Sequence, residues 1–528
     1  MRVQAEATAG LSKLYEQQKR FDEALRLNRQ AIQIAQTLNA HDLLLNLEWQ
    51  QGRLQHELNH SSNAIAAYQR AVEHIENIRQ DIPVEYNNGR SSFRETLEPV
   101  YLGLADLLLQ QSTQTQSVAQ KLPLLRQARE VVEQIKQSEV EDFLGGRCGV
   151  ESSKKALESV ESNTAIIYPV ILPDRLELIV SIGDELHQFT QPIRATTLQL
   201  FAKSFASSLR NNGSFLNPAK SLYHALLEPI QPLLEQKQIA TLVMVPDGVL
   251  RLIPVSALFD GKQFVIERYA VATSVGLSLS SSSPLSEQKS KALLVGMSSP
   301  GDVVEHLPAT FLRSFKNTRG VKFDESKGAI QLRGNPVLRD KVQHELSLPG
   351  VKKEIADLQA QTANTTLINE GFTVDNFKQQ LEDEPYNVIH IASHGVFGKT
   401  AATSFIMAYD DVININELES ILKSDKFKKQ PVEMLTLSAC QTAEGNDRAP
   451  LGLSGIALKA KVSSALGTLW SVSDDATAKL MANFYKNLNQ PDLSKAQALR
   501  QAQLDVLHDE NMAHPFYWAP FILVGNWL

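Results

Sequence analysis

Two short apolar runs end on side chains that could do chemistry together. Val388-Ile-His-Ile-Ala-Ser-His-Gly395 closes on an imidazole and a glycine, and Met434-Leu-Thr-Leu-Ser-Ala-Cys440 closes on a thiol. Apolar, partly β-branched runs of this length predict parallel strands covered on both faces. Ligands of open α/β sheets bind beyond the carboxyl ends of the strands, so neighbouring strands would bring His394 and Cys440 into one crevice. The chemistry would be nucleophilic. A free thiol with a pKa near ~8.5 is only slightly ionised at neutral pH, and a histidine beside it favours the thiolate and protonates a leaving amine. Cys440 would then carry the acyl group until water releases it. Gly395, lacking a side chain, lets its N–H approach a carbonyl oxygen, and with the N–H of Cys440 it would form an oxyanion hole. His390, four residues before His394, falls on the same face of a regular strand and reads as a structural neighbour rather than a second base. Cys148, in Gly-Gly-Arg-Cys-Gly, has no histidine near it in sequence and reads as inert.

These residues need a sheet to hold them. Around them strands alternate with helices: strand Thr365–Ile368, helix Thr373–Glu382, the strand at 388, helix Ile415–Lys423, the strand at 434, helix Leu451–Lys461, strand Ser464–Trp470 and helix Asp475–Leu488. That alternation predicts a three-layer α/β domain with a mainly parallel sheet. Earlier strands are expected at Thr164–Leu172, Arg175–Ile182, Thr241–Val245 and Lys291–Met297, with Ser280–Ser290 as a linker. Pro300 to Pro349 shows no period and reads as a loop region, a candidate gate or self-cleavage segment through Arg333 and Arg339.

Ahead of the sheet the pattern is helical and repeats. Phe21-Asp-Glu-Ala24-Leu and Ala31 recur as Ala64-Ile-Ala-Ala-Tyr68 and Ala71, an offset of 40 residues, with Gly52 between them. A third, divergent unit follows from Val100, with a partner helix from Lys121 to Lys136. Small residues at fixed spacing mark helix crossings in a repeat array. The expected domains are 1–161 for the helical array, 162–290 for the entry to the sheet and 291–528 for the core.

A length of 528 residues exceeds what one core supports. At 43% hydrophobic and 21% charged the chain is globular rather than disordered. A net charge of −7 excludes a broad basic face for nucleic acid. Two cysteines exclude a disulfide framework and a cysteine zinc site, and the polar start and absence of long uncharged apolar runs point to a cytoplasmic protein with no membrane contact. The chain opens almost inside a repeat, which leaves room for further repeats or a targeting segment ahead. No phosphate-cradling loop or metal-ligand cluster stands out, so no cofactor is expected.

At His394-Gly395, Leu437-Ser-Ala-Cys440-Gln-Thr and the tail His514-Pro-Phe-Tyr-Trp-Ala-Pro-Phe-Ile-Leu-Val-Gly-Asn-Trp527, the sequence resembles the CHAT family, the caspase-like domain associated with tetratricopeptide repeats. Val245-Pro-Asp-Gly-Val-Leu-Arg-Leu-Ile-Pro254, Asp447-Arg-Ala-Pro-Leu-Gly-Leu-Ser-Gly and Leu469-Trp-Ser-Val-Ser-Asp-Asp475 match as well. The resemblance covers roughly 165 to 528 and implies a caspase-like fold and a cysteine endopeptidase of the caspase and separase group, with tetratricopeptide-like repeats ahead of it. It makes His394 and Cys440 the catalytic pair. They are 46 residues apart, against about 50 in caspases. Ser-Ala-Cys-Gln-Thr departs from the caspase signature, so caspase substrate preference does not transfer.

By likeness to a separase loop, Asp474 or Asp475 would line a pocket that selects Arg or Lys before the cut. Both also sit where acidic residues favour a helix start on their own account. The implied partners are a protein or peptide substrate and a protein regulator held by the repeats. The rival is a non-catalytic scaffold with a caspase-like assembly domain, which has no need of both His394 and Cys440. An amidase or transpeptidase using the same acyl-enzyme chemistry is the third reading.

Overall fold

The computed structural model describes residues 1–83, 91–146, 161–279, 291–308, 311, 336–398, 400–422, 427, 430–442 and 450–528, without the side chains of 336, 338, 402 and 439–442. Cys148, Arg333 and the 280–290 linker lie outside the described residues.

The helical array begins with two antiparallel pairs, α1 (Arg2–Gln17) with α2 (Phe21–Thr37) and α3 (His41–Glu57) with α4 (Ser61–Ile78). The turns between them are equally spaced. Lys19, Asn39 and Asn59 each adopt positive φ, 20 residues apart, where asparagine tolerates the left-handed conformation better than most side chains. Ala24, Ala31, Ala64 and Ala71 are fully buried at the helix crossings, as the 40-residue offset requires. Tyr68 of α4 sits between two glycines. A Cβ on Gly52 of α3 would lie 2.6 Å from its Cε2, and one on Gly103 of α5 (Glu98–Gln114) would lie 2.8 Å from its Cζ.

Helix α6 (Val118–Leu144) is longer than the expected 121–136 segment and carries charge into the interior. Glu133 accepts from the Tyr168 hydroxyl at 2.7 Å and from the N–H groups of Leu277 and Ser278 at 2.9 and 3.0 Å. Lys136 donates to Asp247 at 2.6 Å and to the Pro246 carbonyl at 3.1 Å, and Glu139 pairs with Arg251 at the same junction. Each buried charge has an opposite charge or a hydrogen-bond donor, which is what removal from water demands. Through these contacts α6 fastens the array to the sheet.

Among the described residues, thirteen strands form one sheet, running through both segments expected as 162–290 and 291–528. They are β1 (Thr164–Ile171), β2 (Leu176–Ile182), β3 (Glu185–Gln191), β4 (Thr241–Met244), β5 (Ala270–Thr273), β6 (Lys291–Gly296), β7 (Ala363–Ile368), β8 (Val388–Phe397), β9 (Phe405–Met407), β10 (Val412–Asn414), β11 (Met434–Thr442), β12 (Ser464–Thr468) and β13 (Phe521–Gly525). The order is β10-β9-β8-β11-β12-β13-β5-β4-β1-β2-β3, with β6 also on β8 and β7 on β6. Parallel pairing links β7, β6, β8, β11 and β12, and again β13, β5, β4 and β1. The β1-β2-β3 meander, the β9-β10 hairpin and the β12-β13 contact are antiparallel. The sheet is thus mostly parallel but mixed.

Strand alternation sorts side chains onto two faces. Val388, Leu294 and Met434 join one core, with Ile355 of α10 (Val351–Gln359) and Phe484 of α14 (Asp474–Leu488). Ile389, Ile391, Leu293, Leu435 and Leu437 join the other, with Phe377 of α11 (Val374–Asp383), Leu418 of α12 (Ile415–Leu422) and Ile456 of α13 (Pro450–Lys459). Helices on both faces of one sheet make the three layers. The first half of the sheet carries α7 (Ala195–Arg210) and α8 (Leu216–Leu226), and α15 (Lys495–Leu507) packs by β5. In the stretch expected to lack period, α9 (Pro336–Glu345) forms. Among its described side chains, Val342 and, just past its end, Leu346 are buried. No helix among the described residues is long and apolar enough to cross a membrane.

Candidate active site

Strands β8 and β11 lie side by side in parallel register, from Val388 opposite Met434 to Phe397 opposite Thr442. The register slips once. Leu437 faces Ile391 but Ala439 faces His394, so β8 carries one extra residue between Ile391 and His394. Bulges of this kind re-aim side chains and cluster near active sites. Beyond it Cys440 stands opposite Gly395, one ladder position past His394. The two residues whose types suggest acyl-transfer chemistry are therefore on adjacent strands, at their carboxyl-terminal halves. Gly395 also pairs with Ile406 of β9, so its backbone is flanked by a strand on each side.

His394 is 7% exposed, and its Nε2 lies 3.0 Å from the carbonyl oxygen of Leu346. A carbonyl only accepts, which assigns the proton to Nε2 and leaves the lone pair of the neutral ring on Nδ1. A base whose second nitrogen is held this way keeps one tautomer and one ring orientation, the role a third group plays in nucleophile–base pairs. Burial pushes the imidazole below its ordinary pKa, against the opposing pull of the Leu346 hydrogen bond and the negative charge of Asp474. The ring is thus biased toward the neutral form that can accept a proton.

Asp474 opens α14, and its Oδ2 accepts the Gly350 N–H at 2.8 Å. Leu346-Ser-Leu-Pro-Gly350 therefore forms a strap with one end on His394 and the other on Asp474. Asp475, the next residue, is exposed. The two aspartates named from sequence are not equivalent: Asp474 is close enough to act on His394 electrostatically. The Trp470 indole, buried at the end of the preceding segment, donates to the Phe516 carbonyl at 3.1 Å, tying that loop to the tail.

His390 is fully buried, and both its nitrogens are engaged: Nε2 with Glu354 at 2.9 Å and Nδ1 with the Tyr485 hydroxyl at 3.2 Å. The bulge interrupts the alternation that would relate it simply to His394. Arg339 lies within α9 and pairs with Asp302 at 2.7 Å and Glu305 at 3.1 Å. Sequence reasoning missed Leu346 and Gly350, which contribute only backbone groups, and no residue-type signal could have found them. Among the described residues no group of three or more His, Cys, Asp or Glu side chains could hold a metal ion.

The CHAT domain family model matches residues 216–526. No curated protein matches the chain. Among solved structures, the chain is similar to two of the Saccharomyces cerevisiae separase–securin complex, each at 10% identity and covering 99% of this chain and 47% of that one, with TM-scores of 0.41 and 0.39. The complex of the Porphyromonas gingivalis RgpB pro- and mature domains matches at 8% identity and a TM-score of 0.33, covering 63% of this chain and 76% of that one. The chain spans about half the length of the separase chains it matches.

Proposed function

The chain belongs to the CHAT domain family, a caspase-like peptidase family, and from that premise we propose that it is a cysteine endopeptidase that cuts a protein substrate with His394 and Cys440. The observation that carries the proposal is the paired ladder. Cys440 and Gly395 stand opposite each other, directly after a bulge that delivers His394, and the Leu346 carbonyl fixes the histidine tautomer. In this reading Nδ1 of His394 takes the thiol proton. Cys440 attacks the scissile carbonyl, the imidazolium protonates the leaving amine, and water releases the acyl group. The Gly395 and Cys440 N–H groups stabilise the oxyanion, a donor of that kind contributing about 3 kcal/mol in the transition state. Asp474, held at the mouth of α14, selects Arg or Lys before the cut. Asp475, being exposed, stands further from that role.

The helical array receives a protein regulator. The route from it to the site is short, because the end of α6 packs on α13: a Cβ on Gly455 would lie 3.0 Å from Leu144 and 3.2 Å from Phe143.

Mass spectrometry of a proteome-derived peptide library, incubated with the protein and with Cys440→Ala and His394→Ala, tests the reading. New peptide ends should appear only with the intact protein, and basic-site cleavage should fall at least tenfold in Asp474→Asn. If no ends appear and an electrophilic peptidyl probe leaves Cys440 unlabelled, the endopeptidase is excluded and the scaffold reading takes its place.

A further inference from the structure

Beneath the site four buried side chains form one hydrogen-bonded chain. Glu354 Oε1 lies 2.9 Å from His390 Nε2, His390 Nδ1 lies 3.2 Å from the Tyr485 hydroxyl, and that hydroxyl lies 2.9 Å from Thr436 Oγ1. The Glu354 side chain is 4% exposed and His390 is completely buried. A polar chain so enclosed is costly unless every member is satisfied, and here each finds its neighbour.

What matters is which elements the four residues belong to. Thr436 sits on β11 four residues before Cys440, and His390 on β8 four residues before His394, directly opposite it in the ladder. Tyr485 is on α14, the helix that Asp474 opens. Glu354 is on α10, four residues after Gly350, at the end of the strap that holds His394 and Asp474. The four elements α10, β8, α14 and β11 are thus joined in series by this chain.

We propose that His390, Glu354 and Tyr485 are positioning residues of the proposed peptidase, whose buried chain fixes where β8, β11, α10 and α14 place His394, Cys440, Asp474 and the Leu346 carbonyl. The inference rests on the endopeptidase reading for its consequence in catalysis and on geometry alone for its consequence in positioning. Apolar contacts between these elements set their spacing to within side-chain slack. Directional hydrogen bonds remove that slack, and sites of this kind lose large rate factors to small displacements.

Tyr485→Phe keeps the ring and removes only the hydroxyl, and Glu354→Gln keeps an acceptor of the same size, so both leave the packing volume intact. The first measurement needs no substrate: the pH profile of iodoacetamide alkylation at Cys440, followed by peptide mapping. Its midpoint reports the coupling of the thiol to His394, which the groups around that ring, the Leu346 carbonyl and Asp474, also influence. We expect Tyr485→Phe to move the midpoint by at least half a pH unit and Glu354→Gln to move it less. On a peptide found by the library experiment, Tyr485→Phe should lower kcat roughly tenfold with KM changed less than twofold. Faster amide hydrogen exchange in β8 and α14 with an unmoved alkylation midpoint would overturn the positioning role and leave a merely structural one. If the wild-type protein cuts no peptide and the peptidyl probe leaves Cys440 unlabelled, the endopeptidase reading fails, and the alkylation midpoint still decides whether the chain positions the pair.

Discussion

Gly350→Ala strikes the strap at its weakest tolerance. Gly350 has φ −67° and ψ −20°, an ordinary helical backbone, so the reason for glycine is space rather than conformation. A Cβ there would overlap the Cβ of Asp474 and lie 2.9 Å from its Cγ. Either α14 or the strap must move, and the 2.8 Å hydrogen bond between the Gly350 N–H and the Asp474 carboxylate is strained or lost. Overpacking of this kind costs roughly 1–3 kcal/mol. A hydrogen bond to a charged group adds ~1.5 kcal/mol at the lower end, taken here for a partly buried pair. Together these give about 2.5–4.5 kcal/mol of local destabilisation.

Because the chain has more than one core, global unfolding is an unsafe readout, whereas amide hydrogen exchange over Val351–Gln359 and the first turn of α14 reads the local cost. Two backgrounds make the reasoning refutable. Asp474→Ala removes the carboxylate but keeps the offending Cβ, so Gly350→Ala should still cost about 1–3 kcal/mol there. Asp474→Gly removes the Cβ, and the cost should then fall within roughly 0.5 kcal/mol, the range of surface substitutions away from special features. If the penalty persists unchanged in the Asp474→Gly background, the contact between strap and helix is not its cause.

Three further outcomes follow from particular contacts. Gly52→Ala and Gly103→Ala should each destabilise the helical array by roughly 1–3 kcal/mol through Tyr68, a cost that Tyr68→Ala should relieve, as amide hydrogen exchange over α3, α4 and α5 will report for each pair. Glu139→Leu should cost about 3 kcal/mol by leaving Arg251 buried beside only Asp247, while the double change with Arg251→Met should cost less than either single change, as measured by amide hydrogen exchange over α6. In an NMR titration the His394 ring should change charge below the ordinary histidine value near ~6.5, and Asp474→Asn should move the midpoint lower still, because it deletes a charge that favours the imidazolium.

Much of the fold was legible where one physical demand wrote the pattern. The strands at 388 and 434 are continuous apolar runs because helices cover both faces, and the 40-residue offset survives because helix crossings admit only small residues. Where a second demand intervened, the pattern blurred. The apolar period of α6 fades after Lys136 in sequence, yet the helix runs to Leu144, since Glu139, Glu141 and Asp142 face inward to partners on other elements: Arg251, Arg79 and Ser91. Of the charges that look like a helix end, Glu139 fastens the array to the sheet domain, and Glu141 and Asp142 fasten α6 within the array. The antiparallel tail strand β13 was hidden likewise, because Phe521-Ile-Leu-Val-Gly525 reads the same whichever direction its neighbour runs.

The site divides along the same line. His394 and Cys440 stood out in the sequence as the proposed pair because acyl transfer needs an imidazole and a thiol, and those are residue types. The groups that orient them are not. Leu346 acts through a carbonyl that any residue supplies, Gly350 through an N–H whose need for a missing Cβ shows only once Asp474 packs against it, and the bulge before His394 is a single slip in register. His390 shows the same limit from the other side. Its type was visible and its spacing from His394 suggested a shared face, but what it does is set by Glu354 and Tyr485, 36 and 95 residues away in the chain. A candidate pair can thus be proposed from two motifs, whereas its alignment is a property of four elements meeting. It follows that substitutions at the unremarkable positions 350, 354 and 485 should disturb the proposed chemistry more than substitution of the exposed Asp475, which sequence alone had placed beside Asp474.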